Sequence, residues 1–381
     1  MRRSIDRGRA VRATLSNAVP LFGVAALGWP AGVLLVVYWI EGGVALLRGA
    51  LQASFARQEP EYGVIPGAVP GKALDDKRGG VSVGPLPPIY PRNARAVFAA
   101  ASVLLIFWPV GAGVVAAATV DTTVPVGPVS LAVVGVVFGH AVGLVEYLRS
   151  EQYASVSVRS ALFGRSSVGV LVVGVGVVGL LSAASAPSAV LLVVVSIKFV
   201  ADLSIGDHEE TSDDPTEWDD DSSEVETPDG PPTATFRADR RSLLARAAGF
   251  GPLYLLVPPY LFGAIGAVGV GLLAGLGAGL LALGAAVVVT AVAVAVRTDV
   301  EVGHLEYRVY RDRIVAYDTL LDASQWALKR RTIEDATVAS SVVDSIRPGT
   351  RTVVVSTFGD DRRLRALERP EAFVESVTTD R

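Results

Sequence analysis

Residues Asp207 to Asp229 read DHEETSDDPTEWDDDSSEVETPD, and twelve of these 23 residues are acidic while none is basic. Such a run cannot bury enough apolar surface to offset the entropy of ordering it, and its like charges repel, so it is expected to be a solvated linker. It divides the chain. On its N-terminal side the sequence reads as one multi-span membrane unit, and on its C-terminal side as a membrane hairpin carrying a small β-rich domain.

The composition supports that division. Of the 381 residues 51% are hydrophobic, with mean hydropathy +0.46, and the apolar residues are clustered. Runs at Val97–Ala118, Gly127–Leu148, Val168–Ser182, Ser188–Leu203, Leu253–Ala274 and Gly277–Val296 approach or exceed the roughly 20 residues that cross a bilayer core. The absence of cysteine excludes disulfides, thiolate nucleophiles and Cys-ligated metals. Histidine occurs three times, at positions 140, 208 and 304, so neither a His triad nor a His-rich metal site is available. The four lysines are Lys72, Lys77, Lys198 and Lys329, and all other basic residues are arginine. This acidic, Lys-poor, Cys-free composition resembles that of an extreme halophile, with a GC-rich genome as the alternative.

The charge distribution of the short loops sets an expected topology. Basic residues alternate between loops, and the positive-inside rule then places both termini and the acidic run in the cytoplasm. An even number of crossings before the basic loop of Arg57, Lys72, Lys77, Arg78 and Arg92 requires the stretch 14–48 to be a hairpin, Thr14–Leu27 and Ala31–Arg48, turning at Gly28-Trp29-Pro30. The alternative is one long span with an external N-terminus. The first apolar run is read as an uncleaved span because no signal-peptidase-like site follows it. The loop Gln58–Pro91 contains seven prolines and is expected to be irregular and solvated, or else a docking strip. The expected fold class is thus a membrane all-α helical bundle of about eight spans plus a small β-rich domain with one terminal helix. The domains are 1–206, the linker 207–242, the two-span hairpin 243–298 and the C-terminal domain 299–381.

Two glycine patterns are read differently. Gly174-Val-Gly176-Val-Val-Gly179 fits the dinucleotide fingerprint only in letters, because it lies within an apolar span and lacks the flanking strand and acid. Gly271, Gly275 and Gly279, spaced by four, form a helix-packing face, used between the two arms, against the first block, or in a homodimer.

Ionisable groups in the spans are the sharper signal, since each costs on the order of 2.5 kcal/mol or more near the bilayer centre unless paired or hydrated. Glu41, Glu146, Lys198 and Asp202 fall in the cytoplasmic half of the expected bundle, and His140 lies deeper, nearest mid-bilayer. They are either structural ion pairs that lock helix packing or the lining of a polar cavity open to the cytoplasm. No catalytic motif, cofactor site, metal site or nucleic-acid-binding pattern is found, and the reading is of a non-enzymatic protein.

From Val302 the pattern changes to strand-like alternation, with Leu305, Tyr307 and Val309 on one face and Glu306, Arg308 and Tyr310 on the other. Further strands are expected at Arg313–Leu321, Gln325–Thr332, Thr337–Val343, Arg351–Phe358 and Arg362–Leu367. Pro370-Glu371 then opens a helix to about Val377. The basic residues Lys329, Arg330, Arg331, Arg362 and Arg363 are candidates for contact with anionic headgroups.

Two resemblances accompany these patterns. LEYRVYRDRIVAYDTLL, RRTIEDATV, GTRTVVVSTF and LERPEAFVESV, placed directly after a two-span hairpin, resemble the bacterial pleckstrin-homology-like (PH-like) domains found on membrane hairpins. That resemblance implies a cytoplasmic interaction module, whose partner is the bilayer, another protein, or a second copy. Asn17-Ala-Val-Pro-Leu-Phe-Gly, Trp29, Tyr38-Trp39-Ile-Glu41, Gly139-His140, Glu146-Tyr147 and Lys198-Phe-Val-Ala-Asp202 are similar to an uncharacterised multi-span family common in haloarchaea. It implies that Glu41, His140, Lys198 and Asp202 recur as a set, with no assigned activity. Together the readings give a plasma-membrane protein, multi-pass, that scaffolds or assembles; the alternative is an ion-coupled transporter.

Overall fold

A computed structural model of the chain describes residues 22, 26, 31–58, 74–101, 104, 115, 126–163, 225, 227–257, 260–339, 351–358 and 361–378. The expected arm Thr14–Leu27 (apart from Phe22 and Ala26) and the spans Val168–Ser182 and Ser188–Leu203 lie outside those residues. So do Lys198, Asp202, the Gly174–Gly179 run and most of the acidic stretch. The chain forms two compact units, one of Met1–Ile65 with Asn93–Glu217, the other of Pro66–Arg92 with Trp218–Arg381.

The first unit is helical. Helix α1 (Ala31–Phe55) and helix α2 (Val126–Arg149) are accompanied by a helical segment over 94–101 and a short helix α3 (Val158–Phe163). At 1.5 Å per residue, α1 and α2 are each about 36 Å long, enough to cross a hydrocarbon core. The C-terminal end of α1 packs on the 94–101 segment and α3 through small side chains: Ala50, Ala53, Ala56, Ala96 and Ala100 cluster with Val158 and Leu162. Asn93 donates from Nδ2 to the carbonyls of Ala53 (2.8 Å) and Ala56 (2.7 Å), satisfying acceptors that the end of α1 leaves open. Much of α2 presents large apolar residues outward, among them Leu131, Val134 and Phe138.

The second unit joins a helical hairpin to antiparallel β structure. Strand β1 (Ala234–Arg237) is followed by helix α4 (Arg240–Phe250), a 3-10 segment Gly251–Leu256, helix α5 (Leu261–Ala274) and helix α6 (Leu276–Thr298). A π turn, Asp299–Gly303, then leads into β2 (Leu305–Val309), β3 (Arg313–Asp318), β4 (Ala323–Lys329), β5 (Ile333–Ala339), β6 (Arg351–Thr357), β7 (Asp361–Leu367) and helix α7 (Pro370–Thr378). The sheets are β1-β2-β3-β4 and β5-β6-β7. They meet where β7 leaves and β1 ends, through an Ala238–Leu367 bridge and the hydrogen bonds Asp239 N to Ala366 O and Glu368 N to Arg237 O. Helix α7 buries Pro370, Phe373 and Val377, spaced three and four apart on one face. The Phe373 ring stands edge-on to Phe236 of β1 at 5.2 Å and to Tyr307 of β2 at 6.5 Å.

Three expectations are corrected. Among the described residues two helices, not eight, are long and apolar enough to cross a membrane: Val129–Arg149 and Leu276–Gly303. The expected span Leu253–Ala274 is divided between the 3-10 segment that ends at Leu256 and helix α5, which begins at Leu261. Its α-helical part, α5, has 14 residues, about 21 Å, short of a 30 Å core. The stretch 207–242 is not linker throughout: Ala234–Arg237 pair in register with Val309–Glu306, and Asp239 caps α4 by accepting from the N–H groups of Arg241 and Ser242. The hairpin is therefore the connection between two neighbouring strands of one sheet, rather than a stalk placed before the domain. The six expected strands and terminal helix are present, with β5 starting at Ile333 rather than Thr337.

Candidate functional site

In the first unit, α1 and α2 share a polar seam. Tyr147 donates its hydroxyl to the carbonyl of Gln52 (3.1 Å), and the Arg48 guanidinium lies where a Cβ on Gly143 would meet it at 2.9 Å. Residue numbers rise together along the two helices, from Arg48 to Gln52 and from Gly143 to Tyr147, so they run parallel. Glu41, Ala45, Arg48 and Gln52 follow a helical stripe on α1, and His140, Gly143 and Tyr147 follow one on α2. Glu41 and His140 are half-buried, one turn or more beyond the Arg48–Gly143 contact. Glu146 is exposed, outside the seam. Sequence reasoning missed Arg48, which it used only as the end of a span. Its signal is its position seven residues after Glu41, opposite a glycine that leaves room for it. A carboxylate, a guanidinium and an imidazole on one seam can hold helices together or carry protons and anions. Among the described residues no cluster of His, Asp and Glu is arranged to hold a metal ion.

In the second unit, Gly271 and Gly279 face each other across the hairpin, where a Cβ on Gly279 would sit 2.7 Å from the Gly271 Cα. The pattern read as a helix-packing face thus packs the two arms on each other. Gly275 is not on that face: it makes the turn, with φ 92°.

The root of the hairpin carries a charged collar. Arg240 pairs with Asp299 (2.6 Å), His304 approaches the same carboxylate (3.4 Å), and Glu301 meets Arg365 (3.2 Å) and Arg297 (3.9 Å). On the outer face of the sheet Glu306 accepts from Arg237 (2.6 Å) and Arg308 (3.0 Å), and the Arg308 guanidinium lies 3.6 Å from the Tyr317 ring centroid. Burial pushes the Glu306 carboxyl up, but the hydrogen bonds from Arg308 and Arg237 outweigh it and hold the group below its ordinary range. The Tyr317 hydroxyl donates to Asp322, which raises its pKa.

The proline-rich loop is not wholly solvated. Lys77 is buried with Asp318 at the end of β3, at 2.6 Å, with side chains 8% and 1% exposed. Asp318 also accepts from the N–H groups of Leu320 and Leu321. Next to it, Arg78 and Gln325 exchange two hydrogen bonds, and Gly79 (φ 82°) lies against the Leu321 carbonyl where a Cβ would clash at 2.5 Å. Lys77 was legible only as one of four lysines in an arginine-dominated chain and as one charge of a basic loop.

The five candidate basic residues separate into two groups. Lys329, Arg330 and Arg331 line a cleft of about 580 Å³ with Arg311, Asp312, Arg313 and Val377. Arg362 instead stacks on Trp326 (4.9 Å), and Arg363 is an exposed residue of β7.

Residues 1–219 match the model of a family described as "Family of unknown function (DUF6498)", more than half of the chain. The match ends inside the acidic run, before β1. No curated protein and no solved structure matches the chain. The chain belongs to that family of unknown function.

Proposed function

We propose that this protein is a multi-pass plasma-membrane protein that acts by binding rather than catalysis, presenting a PH-like domain on the cytoplasmic side as a scaffold or assembly module. The observation that carries the reading is the placement of the hairpin between β1 and β2. A domain whose neighbouring strands flank the membrane helices is held at the surface with little freedom to tilt away. Seven antiparallel strands in a group of four and a group of three, closed by a C-terminal helix, support the PH-like assignment. The outward apolar faces of α2 and α6 support the bilayer as their surroundings. The acidic, Lys-poor composition fits a salt-rich cytoplasm. Partners are then the bilayer and either another protein or a second copy.

A single cysteine at Phe358, which is 81% exposed in an otherwise cysteine-free chain, tests the proposal. Expected is labelling only after the membrane is breached, together with a discrete crosslinked adduct in sealed cells. Labelling from outside overturns the orientation, and the absence of any adduct overturns the scaffold role.

The α1–α2 seam favours a second reading, ion-coupled transport. Glu41→Gln and His140→Ala separate the two: lowered thermal stability supports structural pairing, whereas normal folding with lost ion or solute flux in proteoliposomes supports transport.

A further inference from the structure

The cleft lined by Lys329–Arg331 sits at a defined end of the domain. Helix α6 and its π turn enter the sheet at Leu305, the first residue of β2, and the register pairs Leu305 with Asp318 and Asp318 with Ala323. The opposite ends of the same strands carry the cleft: Val309 pairs with Ile314, Arg313 with Lys329, and the turn between them holds Arg311 and Asp312. Five strand residues at about 3.3 Å each separate it from the root of the hairpin by roughly 16 Å. These basic residues therefore lie at the strand ends farthest from the root of α6, and with α6 across a bilayer and the strands leading away from it they stand clear of that bilayer's headgroups.

Among the described residues the cleft carries more positive than negative charge. Among those residues its one carboxylate, Asp312, is taken by Arg313 at 2.8 Å. Arg330 donates to the carbonyls of Ser376 (2.9 Å) and Val377 (3.1 Å), at the C-terminal end of α7. That end carries about half a negative charge, which would repel an anion, and the Arg330 guanidinium cancels it. Arg311, Lys329 and Arg331 are exposed, and among the described residues they form no ion pair. Three cations held around one concavity repel each other unless an anion joins them, and guanidinium and ammonium donors together suit phosphate oxygens.

We propose that the cleft bounded by Arg311, Lys329 and Arg331 is a binding site for a ligand bearing more than one phosphate group. The phosphate comes from a solute of the surrounding water or from the headgroups of a facing membrane, not from the protein's own leaflet. The cleft stands independently of the scaffold reading; only the exclusion of the protein's own leaflet rests on α6 crossing the membrane.

The test uses the full chain in nanodiscs of neutral lipid, titrated with tripolyphosphate in a calorimeter at about 0.15 M salt, where exposed charges more than about 8 Å apart are largely screened. Saturable binding is expected, weakened about tenfold or more by Lys329→Glu with Arg331→Glu, since one charge-assisted pair contributes on that scale. Arg362→Glu with Arg363→Glu, which lie outside the cleft, should change it less than about twofold. Melting of each variant checks folding, and Arg311→Gln provides an independent, milder loss of one donor. Vesicles of phosphatidic acid in phosphatidylcholine give the second arm. Capture that depends on Lys329 and Arg331 assigns the phosphate to a facing membrane; tripolyphosphate binding without capture assigns it to a solute. Failure to bind either probe, or equal binding by the reversed variant, overturns the site.

Discussion

The two units solve the placement of charge in opposite ways. In the helical unit the polar groups lie along a seam between α1 and α2, and the space that Arg48 needs comes from the absence of a side chain at Gly143. In the β unit charged groups are matched pairwise at short distance, Lys77 with Asp318, Glu306 with two arginines, Arg240 with Asp299. The difference follows from geometry. Parallel helices approach closely only where residues are small, so a large charged side chain must be met by a gap. A sheet spaces its side chains regularly, so each charge can be given a partner on the adjacent strand or on a segment laid across it.

The contrast can be broken at its strongest point by Lys77→Ala. It leaves the Asp318 carboxylate buried without its cation, and should destabilise the second unit by about 3 to 5 kcal/mol in denaturant melts. Lys77→Met combined with Asp318→Asn keeps an acceptor for the Leu320 and Leu321 N–H groups and should recover most of that loss. If the single and double variants melt alike, the pair does not hold the loop to the sheet.

The small-residue rule also operates inside the β unit's own hairpin, where Gly279→Leu should cost about 1 to 3 kcal/mol because the Gly271 backbone cannot yield. Gly277→Leu, with nothing within 4 Å of its Cβ position, is the matched neutral control. Equal effects of the two on thermal unfolding would dismiss the Gly271–Gly279 contact.

Gly143→Val should cost less, about 1 kcal/mol, since what it displaces is the flexible end of Arg48 rather than backbone. Gly139→Val, also in open space, should be silent. A silent Gly143→Val as well would remove Arg48 from the seam.

The smallest expected effect concerns pH. The Glu306 carboxyl is held below its ordinary range by Arg308 and Arg237 against the pull of burial, so the stability it contributes is full above the unfolded-state pKa. It is lost as pH falls through the lower folded-state value. Glu306→Gln should flatten the acid limb of stability against pH while changing little at neutrality, and an unchanged acid limb would argue against the paired carboxylate.

Legibility from sequence followed the range of the interactions. β2, β3, β6, β7 and α7 were readable because alternation and the Pro370-Glu371 start are local patterns. β1 was not, because its four residues sit behind the acidic run and their partner strand lies beyond the whole hairpin. Lys77 was hidden for the same reason: its partner Asp318 is 241 residues away. Glu41 and His140 were singled out by the cost of charge in an apolar run, but that cost names no partner, so Arg48 and Gly143 went unread. The eight-span count rested on apolar length and on the charges of the loops, neither of which registers that α5 has only 14 residues.

By itself the sequence determined the division into an apolar helical part and an alternating β part, and it marked Gly271, Gly275 and Gly279 as a packing face, because these depend on composition and spacing along the chain; the structure kept Gly271 and Gly279 on that face and put Gly275 in the turn. Only the tertiary structure decided that the hairpin interrupts a sheet, that a proline-rich loop is pinned by a buried ion pair, and that Lys329–Arg331 share a cleft while Arg362 and Arg363 do not. Those outcomes depend on which distant segments meet, and the energy of burying a charge or completing a strand edge exists only once both segments are in place.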